Sequence, residues 1–575
     1  MCGIVGMVSK GSVLLADAVN SLKRLEYRGY DSFGFATNSG VIGKYVGEIE
    51  RFQPPEIAAN VICCHTRWAT HGGVTEANAH PHSDCRGELF VVHNGIIDNF
   101  QELRNELENQ GHIFRSETDT EVIAHFFEGK DIKETVPEFF RRVDGEFAVL
   151  IIKKGENRIY ALKKGSPLVL GLSNGQRILA SDIYAFSDKT NEAVFFSENE
   201  FAIIDGNGYE FFKVDGKLTP ETKDIQTFEW SSDRETKQRY DHYMLKEIME
   251  EPEVSERLIR SLQTEQHDKI LELKGMIEAP KRVLFIAAGT SYHASLLGVY
   301  FLNKVGIEAH SIIASEFRSF PLVDENTLVI AISQSGETMD VIEGLKWMKA
   351  KGATIASFVN VPYSTIQRMS SISINILAGQ EICVAATKSF VNQVTLLLYL
   401  ASLFGYGIDM DCIPRGIEEI LRQENRIMEI AKQLSDHKDV YVIGRGLAYP
   451  VAKEIALKVK EISYIHAEGM MGGELKHGTL ALIEDGTPVI SLMPKDDEDI
   501  ISNSKEVEAR GGRVLAITNN NGCSMFESVV VPTTNGGIFC ILATIVGQLL
   551  TYYIAKEKRL PIDKPRNLAK SVTVK

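Results

Sequence analysis

Over its first ~225 residues the chain alternates between short apolar runs and turns rich in Gly, Asn and Asp. The runs GEFAVLIIKK (145–154), NRIYALKK (157–164) and VFFSENEFAII (194–204) are typical of β-strands. Apolar residues recur with helical spacing in SLKRLEYR (21–28) and in DNFQELRNELENQG (98–111), which ends at a glycine suited to a helix C-terminus. The pattern predicts an α+β domain with more sheet than helix.

A different pattern begins near residue 280. The strand-like runs RVLFIAAG (282–289), NTLVIAIS (326–333) and ATIASFVN (353–360) alternate with segments of helical periodicity. This alternation predicts a doubly wound α/β domain with a parallel sheet. The pattern returns ~157 residues later, where KDVYVIGRG (438–446) corresponds to KRVLFIAAG (281–289). We therefore predict an internal repeat of one α/β domain.

These patterns divide the 575 residues into three domains, a linker and a tail. The predicted segments are an α+β domain at 2–226, a charged linker at 227–253, α/β domains at 254–413 and 414–560, and a C-terminal tail at 561–575. The most apolar stretch, 537–555, is long enough to span a membrane but contains Gln548 and two tyrosines. We expect it to be a buried core helix, and we expect no membrane partner.

Composition narrows the classes of partner. The formal net charge of −15 argues against nucleic acid as a partner, because proteins that bind it need basic surfaces. The eight cysteines show no C-x-x-C spacing and no signal peptide is evident, so we expect a reducing, cytoplasmic location. Cys63 and Cys64 end an apolar run and are interpreted as buried strand residues. No metal and no cofactor are predicted.

The opening sequence MCGIVG indicates a first candidate for chemistry. Removal of Met1 would leave Cys2 with a thiol and a free α-amine on one carbon. Such an amine titrates near pH ~8, so it could take the proton of a nucleophile near neutral pH. The alternative is that Cys2 merely begins a first strand, and only the other motifs decide between the two.

Several polar motifs supply the groups that amide hydrolysis by a cysteine requires. They are YRGYDS (27–32), HTRWATHG (65–72), HNG (93–95) and SETDTE (116–121). Arg67 is suited to binding a substrate carboxylate, and Asp119 to binding an α-ammonium group. Asn94 and the Gly95 N–H could stabilise an oxyanion, and Trp68 could act as a lid.

Together with MCGIVG, these motifs resemble the glutaminase domain of the class II, N-terminal nucleophile, glutamine amidotransferases. The resemblance implies an αββα fold in which Cys2 attacks the side-chain amide of L-glutamine and its own amine acts as the base. It implies that Asn94 and Gly95 form the oxyanion hole, and that Arg28 and Gly29 close over the site. The glutamine-binding residues implied by the resemblance are Arg28, Arg67, Thr70, His71 and Asp119.

Hydroxyl-rich turns follow two strands of the first α/β domain. SQSGET (333–338) follows the run NTLVIAI and opens a helix, and GTS (289–291) is a second turn of the same type. Hydroxyl and N–H groups at a helix N-terminus are suited to binding phosphate. Each turn alone could equally be an ordinary helix cap. No G-x-x-x-x-G-K-[ST] motif points to a nucleoside triphosphate.

In the second α/β domain, AKEIALKVKEIS (452–463) places Glu454, Lys458 and Glu461 on one face of a predicted helix. An exposed ion-pair ladder has the same spacing. Apolar residues occupy most of the remaining circumference, however, which indicates a buried helix. A carboxylate there is suited to moving a proton between adjacent sugar carbons. His477, in GELKHG (473–478), is a candidate for opening a sugar ring.

These motifs resemble sugar isomerase (SIS) domains. Two SIS domains after a class II glutaminase domain resemble the isomerizing glutamine–fructose-6-phosphate aminotransferase family over essentially the whole chain. The resemblance implies that ammonia from glutamine passes through an internal channel to fructose-6-phosphate, which becomes glucosamine-6-phosphate. It also implies a homodimer formed through the SIS domains and a tail that covers the sugar site.

The same resemblance assigns roles to individual residues. The implied sugar-phosphate-binding residues are Thr290, Ser291, Ser333, Gln334, Ser335, Thr338, Val384 and His466, the last from the neighbouring subunit. In the implied chemistry, Glu461 moves the proton between C1 and C2, and Glu454 and Lys458 assist it. His477 opens the sugar ring, and Lys570 forms a Schiff base with the sugar. Trp68 gates the ammonia channel.

Some positions depart from the family pattern. Ala288, Gln380, Ala386 and Thr479 replace residues that are more usual there, which leaves the fine contacts to the sugar open. Three alternatives remain. They are an amidotransferase or deglycase for a different phosphosugar, a phosphosugar-sensing protein with a degenerate glutaminase, and a phosphoribosyl amidotransferase. The presence of both Cys2 and Lys570 disfavours the first two, and no acidic phosphoribosyl-pyrophosphate loop supports the third.

Overall fold

The computed structural model describes residues 2–228, 236–279, 282–320, 322–495, 497–520 and 525–571. The chain forms two compact units, one containing the described residues up to 228 and the other those from 236 to 570. Outside the described residues lie Cys523, residues 229–235 near the start of the predicted linker, and the last four residues of the predicted tail.

Among the described residues of the first unit, the strands form two antiparallel sheets that pack face to face. In spatial order, the eight-stranded sheet consists of β15 (Gln226–Thr227), β11 (Glu192–Phe195), β9 (Val169–Ser173), β10 (Gln176–Ala180), β1 (Gly3–Leu14), β4 (Ala58–Arg67), β2 (Ser32–Thr37) and β3 (Ile42–Val46). The seven-stranded sheet consists of β14 (Leu218–Glu221), β13 (Tyr209–Val214), β12 (Glu200–Asp205), β8 (Arg158–Lys164), β7 (Gly145–Lys153), β6 (Leu89–Ile97) and β5 (His82–Ser83). Val8 and Val61 from the first sheet meet Val92 and Leu150 from the second in a shared core.

Helices cover the outer faces of these sheets. The helices of the first unit are α1 (Leu15–Lys23), α2 (Phe100–Asn109), α3 (Glu121–Phe127) and α4 (Ile132–Arg142). The first packs against β1 and β4, and the other three cover the seven-stranded sheet through residues such as Leu103, Phe126 and Phe139. The layers are helix, sheet, sheet and helix, which confirms the predicted αββα fold. The helix predicted at 21–28 begins earlier, at Leu15, and gives way to a separate 3₁₀ turn at Glu26–Arg28.

The described part of the second unit contains two five-stranded parallel sheets. The first has the order β17 (Ala309–Ile313), β16 (Arg282–Ala287), β18 (Thr327–Ser333), β19 (Thr354–Val359) and β20 (Ile372–Asn375). The second has the order β22 (His466–Met471), β21 (Asp439–Gly444), β23 (Pro488–Met493), β24 (Arg513–Thr518) and β25 (Glu527–Val530). The identical order confirms the predicted repeat. In each sheet the first strand in sequence, β16 or β21, has the second strand on one side and the third strand on the other. Ligands of such folds bind in the crevice between the first and third strands, at their carboxyl ends.

Helices surround both parallel sheets. They are α5 (Tyr243–Met249), α6 (Glu251–Gln263), α7 (His267–Glu278), α8 (Gly289–Lys304), α9 (Met339–Ala350), α10 (Thr365–Met369), α11 (Lys388–Ser402), α12 (Cys412–Leu421), α13 (Glu424–Leu434), α14 (Ala448–Ser463), α15 (Glu498–Glu508) and α16 (Gly536–Glu557). Within the described ranges, α16 alone is long and apolar enough to cross a membrane, and its apolar part is wholly buried inside the protein. It is therefore a core helix, as predicted for 537–555.

The segment predicted as a linker at 227–253 is partly helical. From Tyr243 onward it forms α5 and the start of α6, and Met244 and Ile248 pack in the main core of the second unit. The reason is their spacing of four residues, which puts both on one side of a helix although the segment around them is highly charged. The charge-rich composition concealed this buried face.

Candidate active sites

Cys2 directly precedes β1, an interior strand of the eight-stranded sheet. Gly3 pairs with Thr66 in the ladder between β1 and β4, so Cys2 lies beside the end of β4. Its Sγ accepts a hydrogen bond from the Trp68 N–H at 3.3 Å. Burial raises the pKa of the Cys2 thiol, although this N–H and the Arg67 guanidinium oppose the rise. Because the thiolate is the nucleophilic form, the thiol needs a base.

Two buried side chains hold the backbone carbonyl of Cys2. Asn94 Nδ2 donates to it at 2.9 Å, and Arg28 Nε donates to it at 3.3 Å. The next residue along β6, Gly95, has a φ of +124°, and a Cβ there would lie 1.9 Å from the Glu146 carbonyl oxygen. Only glycine fits this position. The predicted oxyanion pair thus lies in one strand, with Asn94 in contact with the nucleophilic residue.

Arg28 occupies a different position from the expected one. Its side chain is 2% exposed, and its guanidinium lies 3.6 Å from the Asp182 carboxylate. That carboxylate also accepts a hydrogen bond from the Tyr27 hydroxyl at 2.9 Å. A buried charge has to stay paired, so Arg28 is held against Cys2 by its partners and does not lie over the site as a cover.

Arg67 organises the loop that follows β4. Its guanidinium donates to the carbonyl oxygens of His71, of Gly72 at 3.2 Å and of Gly73 at 3.1 Å. Thr70 is exposed on this loop, and the His71 ring packs against Phe100 with ring centroids 5.1 Å apart. Arg67, which is expected to bind the substrate carboxylate, therefore also supports the loop that carries Thr70 and His71.

Asp119 lies in the turn before α3, and its Oδ2 accepts the backbone N–H of Ile97 at 2.9 Å. Its charge and that of Arg67 both act on the Cys2 thiol, so the two predicted recognition groups lie near the predicted nucleophile. Asp31 fixes the Trp68 segment by accepting the Ala69 N–H at 2.8 Å. Asp31 belongs to the motif YRGYDS, from which no role for it could be predicted.

The second site centres on one face of α14. Lys458 Nζ lies 3.3 Å from Glu454 Oε1 and 2.7 Å from Glu461 Oε2, so the predicted ion-paired face exists. The Glu454 and Lys458 side chains are almost fully buried, whereas Glu461 remains 19% exposed. Helix α8 adds Thr290, which donates to Glu454 at 3.0 Å and accepts from Lys458 at 3.0 Å, and His293, whose Nδ1 lies 2.7 Å from Glu454.

The charges of this cluster stabilise one another. Burial disfavours charge on Lys458, but Glu454 and Glu461 outweigh it and raise the pKa of Lys458. Burial also opposes ionisation of Glu454, but Lys458 and the hydrogen bond from His293 lower its pKa. Glu461 is the accessible member of the cluster, and the other two residues are held in their charged forms by one another. His293 was not identified from the sequence, since a lone histidine in an apolar helix carries no motif.

The hydroxyl-rich turns lie at the carboxyl ends of β16 and β18, which are neighbours in the sheet. Ser333 Oγ accepts the Gly336 N–H at 3.0 Å and lies 3.2 Å from Thr338 Oγ1. Ser335 Oγ accepts the Glu337 N–H at 3.2 Å. The turn is thus shaped by its own side chains, at the position in the fold where ligands of parallel sheets bind.

Two further predicted phosphate ligands border the same crevice. Ser291 Oγ accepts a hydrogen bond of 2.9 Å from Gln393 Nε2, a buried residue of α11 that the sequence did not single out. Gln334 follows Ser333, and its backbone carbonyl accepts the Asn360 N–H at 3.2 Å.

Lys570 reaches into the second unit and forms an ion pair with Glu381, whose side chain is fully buried. Burial alone would raise the pKa of Glu381, but Lys570 and the N–H groups of Thr387 and Ser389 lower it to about 2. A lysine that forms a Schiff base is expected where desolvation or a nearby cation lowers its pKa, and Arg566 is a candidate cation by its position in the sequence. Arg566 instead lies over the Tyr464 ring, 4.2 Å from its centroid. Lys570 is therefore buried next to a carboxylate.

A second carboxylate lies near this ion pair. Glu247 of α5 accepts the N–H groups of Ile382 and Cys383 on Oε1, and its Oε2 has no hydrogen-bond partner among the described residues. Burial, and next the charge of Glu381, raise the pKa of Glu247 to about 8. Neither glutamate was identified from the sequence, because Glu247 lay in the supposed linker and Glu381 lies 189 residues from Lys570.

Three predicted sugar residues lie apart from these clusters. His466 is 64% exposed and pairs with Asp439 at 2.9 Å, and His477 is exposed at the end of the 3₁₀ turn Gly472–His477. The Val384 N–H donates to the Asp563 carbonyl at 3.0 Å, which ties it to the start of the predicted tail.

Comparison with known proteins agrees with the two kinds of site. A family model described as a glutamine amidotransferase domain matches residues 65–188, and one described as a SIS domain matches 276–403 and 433–550. Relatives named glutamine–fructose-6-phosphate aminotransferase (isomerizing) from Methanothermobacter thermautotrophicus and Pyrococcus horikoshii are 41% and 40% identical over 598 and 609 residues. Both comparisons cover 100% of each chain.

A solved structure resembles the second unit. It is the C-terminal domain of glucosamine-fructose-6-phosphate aminotransferase from Francisella tularensis, with a TM-score of 0.51 and 32% sequence identity. The comparison covers 57% of this chain and 100% of that one. The likeness is therefore between that domain and a little more than half of this chain.

Proposed function

Because the chain belongs to the isomerizing glutamine–fructose-6-phosphate aminotransferases, we propose that it makes glucosamine-6-phosphate from L-glutamine and fructose-6-phosphate. The observation that carries this proposal is that each unit holds side chains suited to one half of the reaction. The first unit contains a cysteine directly after Met1, and the second contains the charged face of Glu454, Lys458 and Glu461 as well as the buried Lys570. A binding protein would have no need for a nucleophile in one unit and a proton-transfer group in the other.

In the glutaminase reaction, the Cys2 thiolate attacks the side-chain amide carbon of glutamine after the α-amine freed by loss of Met1 takes the thiol proton. The Asn94 amide and the Gly95 N–H stabilise the oxyanion, and ammonia leaves as the thioester forms. Water then hydrolyses the thioester to glutamate. The contact of Asn94 with Cys2 and the raised pKa of the thiol, which calls for a base, support these roles.

Glutamine itself needs recognition of its charged end. We assign its α-carboxylate to Arg67 together with Thr70 and His71, and its α-ammonium group to Asp119. The support is that Arg67 and Asp119, of opposite charge, both act on the Cys2 thiol. Arg28 has a positioning role in this proposal, since it binds the Cys2 carbonyl and is buried.

In the sugar reaction, the turns containing Thr290, Ser291 and the residues Ser333, Gln334, Ser335 and Thr338 hold the phosphate, with Val384 contacting the sugar. His477 opens the ring, and the Lys570 amine adds to the C2 carbonyl with loss of water. Ammonia then displaces the lysine, which leaves an imine of the sugar. Glu461 removes a proton from C1 and returns it to C2, giving the aldose amine. The accessibility of Glu461 beside two buried charges supports its assignment.

The assembly and location form a further part of the proposal. We place the enzyme in the cytoplasm as a homodimer joined through its SIS domains, with His466 of one subunit serving the site of the other. The 64% exposure of the His466 side chain supports such a role. Trp68, whose backbone contacts Cys2 and whose ring packs edge-on against Tyr30 at 5.4 Å, is the proposed gate for ammonia on its way to the sugar.

The decisive experiment uses glutamine labelled with ¹⁵N in its side-chain amide, together with fructose-6-phosphate and an excess of unlabelled ammonium. We expect glucosamine-6-phosphate that carries ¹⁵N, because ammonia made at Cys2 reaches the sugar without mixing with the solvent. The measurement is mass spectrometry of the product. Absence of glucosamine-6-phosphate would reject the proposed reaction, whereas unlabelled product would reject internal transfer only.

A further inference from the structure

Four side chains of the first unit converge at a place that the glutaminase reaction does not use. Cys85 lies in the loop between β5 and β6, and His112 follows the end of α2. His125 belongs to α3, and Glu128 caps its end. One ligating atom from each lies within 4.8 Å of every other. Three separate segments of chain therefore contribute metal-ligating side chains to a single point.

The distances suit one small ion. Cys85 Sγ lies 3.8 Å from His112 Nδ1 and 3.6 Å from His125 Nδ1. Glu128 Oε2 lies 2.8 Å from His112 Nδ1 and 3.0 Å from His125 Nδ1. Around a tetrahedral zinc ion, with bonds of about 2.0 Å to N or O and about 2.3 Å to S, the ligand atoms lie about 3.3–3.6 Å apart. An outward shift of Glu128 by a few tenths of an ångström would bring its distances to both imidazole nitrogens into that range.

The charges and the chemical character also favour zinc. A thiolate and a carboxylate together balance a dication, which leaves a neutral group in a site where His125 is 1% exposed. Two imidazoles, a thiolate and a carboxylate form a donor set that zinc accepts and that Mg²⁺ and Ca²⁺ do not prefer. Because all four positions are taken by protein atoms, the site is of the closed, structural type.

The surroundings provide the support that metal ligands usually have. The Cys85 Sγ accepts the Ile113 N–H at 3.4 Å, a contact that favours a thiolate. The second ring nitrogen of His125 lies 3.7 Å from a carboxylate oxygen of the buried Glu121. A carboxylate facing the free ring nitrogen of a ligating histidine is a recurrent feature of zinc sites.

We propose that Cys85, His112, His125 and Glu128 bind one structural Zn²⁺ ion. This replaces the expectation, drawn from the sequence, that the protein holds no metal. No sequence motif indicates this site, because the ligands are spread over 44 residues without a C-x-x-C or H-x-x-x-H pattern.

The zinc site connects to the substrate side through Glu121. This carboxylate accepts the N–H of Arg115 at 2.8 Å and both the N–H and the hydroxyl of Ser116, at 2.7 and 2.6 Å. The segment from Ser116 to Glu121 contains Asp119, the proposed partner of the glutamine ammonium group. The ion thus anchors α3 and the turn before it. This consequence rests on the proposed function, whereas the metal site itself does not.

The test measures metal content in the full-length chain produced with zinc in the medium. We expect about one zinc ion per chain by elemental mass spectrometry, and close to none in Cys85→Ser. Cys412→Ser, which changes a cysteine of α12 in the second unit, is the matched control and should keep its zinc. Cys2→Ala should also keep it, which excludes the nucleophile as the ligand.

Cobalt provides a readout that does not depend on a variant that folds poorly. Wild-type protein stripped with a chelator and reloaded with Co²⁺ should show the visible bands of a tetrahedral cobalt–thiolate site, and the melting temperature lost on stripping should return with zinc. His112→Gln should weaken the bands while the chain stays folded. Folded wild-type protein that contains no zinc and gives no cobalt–thiolate bands would overturn the proposal, as would full zinc content in Cys85→Ser.

The link to glutamine has its own readout. Stripped protein should show a higher KM for glutamine with a smaller change in kcat, because Asp119 is displaced while Cys2 and its base are untouched. An unchanged KM in stripped protein would remove the link but leave the metal site standing. Zinc content with no glutaminase activity at all would count against the proposed function and not against the metal site.

Discussion

The surroundings of Cys2, the proposed nucleophile, disfavour the thiolate form that the reaction needs. Its burial raises the pKa of the thiol, and the nearby Arg67 and the Trp68 N–H offset this only in part. A protonated thiol reacts slowly, so a base has to act within the same residue or close to it. The α-amine that loss of Met1 would expose meets this need without any other side chain.

Replacing Cys2 by Ala should reduce glutamine hydrolysis by about 10³-fold or more, because no other group can form the thioester. Isomerisation of fructose-6-phosphate should continue, since its proposed residues lie in the other unit. Glutamate release and sugar isomerisation are measured separately on the same preparation. Cys412→Ser serves as the control with both activities intact. Glutamate release at the wild-type rate by Cys2→Ala would mean that the nucleophile lies elsewhere.

Glu247 leads to a pH-dependent prediction. Its pKa is raised from 4.5 to about 8, so between these values the unfolded chain loses the proton while the folded chain keeps it. Stability then falls as the pH rises through this window, by up to ~1.4 kcal/mol per pH unit. Glu247→Gln cannot ionise, so its melting temperature should rise relative to the wild type between pH 5 and pH 8.

The matched control for Glu247 is Glu272→Gln on the exposed side of α7. Its melting temperature should follow that of the wild type at every pH. Thermal unfolding is followed by circular dichroism at pH 5, 6.5 and 8. A constant difference between Glu247→Gln and the wild type across this range would show that Glu247 has an ordinary pKa in the folded protein.

At the scale of elements, α14 brings its charged residues together by helical geometry alone. Glu454, Lys458 and Glu461 follow one another at intervals of four and three residues, which puts them on one face. Packing against α8 then buries this face and adds Thr290 and His293 as partners. Helical periodicity on α14 sets the spacing of the charged residues. Packing against α8 gives them a buried environment, which an exposed ion-pair ladder would not have.

Glu461→Gln should bind fructose-6-phosphate but isomerise it about 10²–10⁴-fold more slowly, since the amide keeps the size and polarity and removes the base. Binding is measured by calorimetry and isomerisation by NMR of the sugar. Lys460→Gln, an exposed neighbour on the same helix, is the control and should behave as the wild type. Full isomerisation by Glu461→Gln would assign the proton transfer to another group.

At the scale of the whole molecule, the chain combines a proposed nucleophile near its start with a proposed Schiff-base lysine near its end. Lys570 reaches Glu381 across 189 residues, and this pair is buried although the surrounding tail is polar. The tail is therefore not a frayed end up to this lysine. Its ion pair holds the amine at a defined place in the second unit.

Deletion of residues 566–575 should abolish formation of glucosamine-6-phosphate and leave at least part of the glutaminase activity. Lys570→Arg should fail almost as badly, because a guanidinium stays protonated and cannot add to a carbonyl. Reduction with borohydride in the presence of fructose-6-phosphate should attach the sugar to Lys570, as seen by peptide mass mapping. Product formation at the normal rate by the shortened chain would show that no imine forms on this lysine.

Local patterns in the sequence determined much of this protein. The apolar runs predicted the strands of both units, the recurrence of KRVLFIAAG as KDVYVIGRG predicted two sheets of one topology, and helical spacing predicted the charged face of α14. The motifs around Cys2 identified its neighbours. These features follow from periodicities of two and 3.6 residues and from short motifs, so they can be recognised without knowing what packs against them.

Contacts between distant segments were decided only by the tertiary structure. They include the buried position of Arg28 beside Asp182, the pairing of Lys570 with Glu381, and the convergence of Cys85, His112, His125 and Glu128. No periodicity connects these residues. Burial and charge pairing arise when separate elements pack together, and these two effects decide whether a carboxylate is an ordinary surface group, a partner of a reactive lysine or a metal ligand.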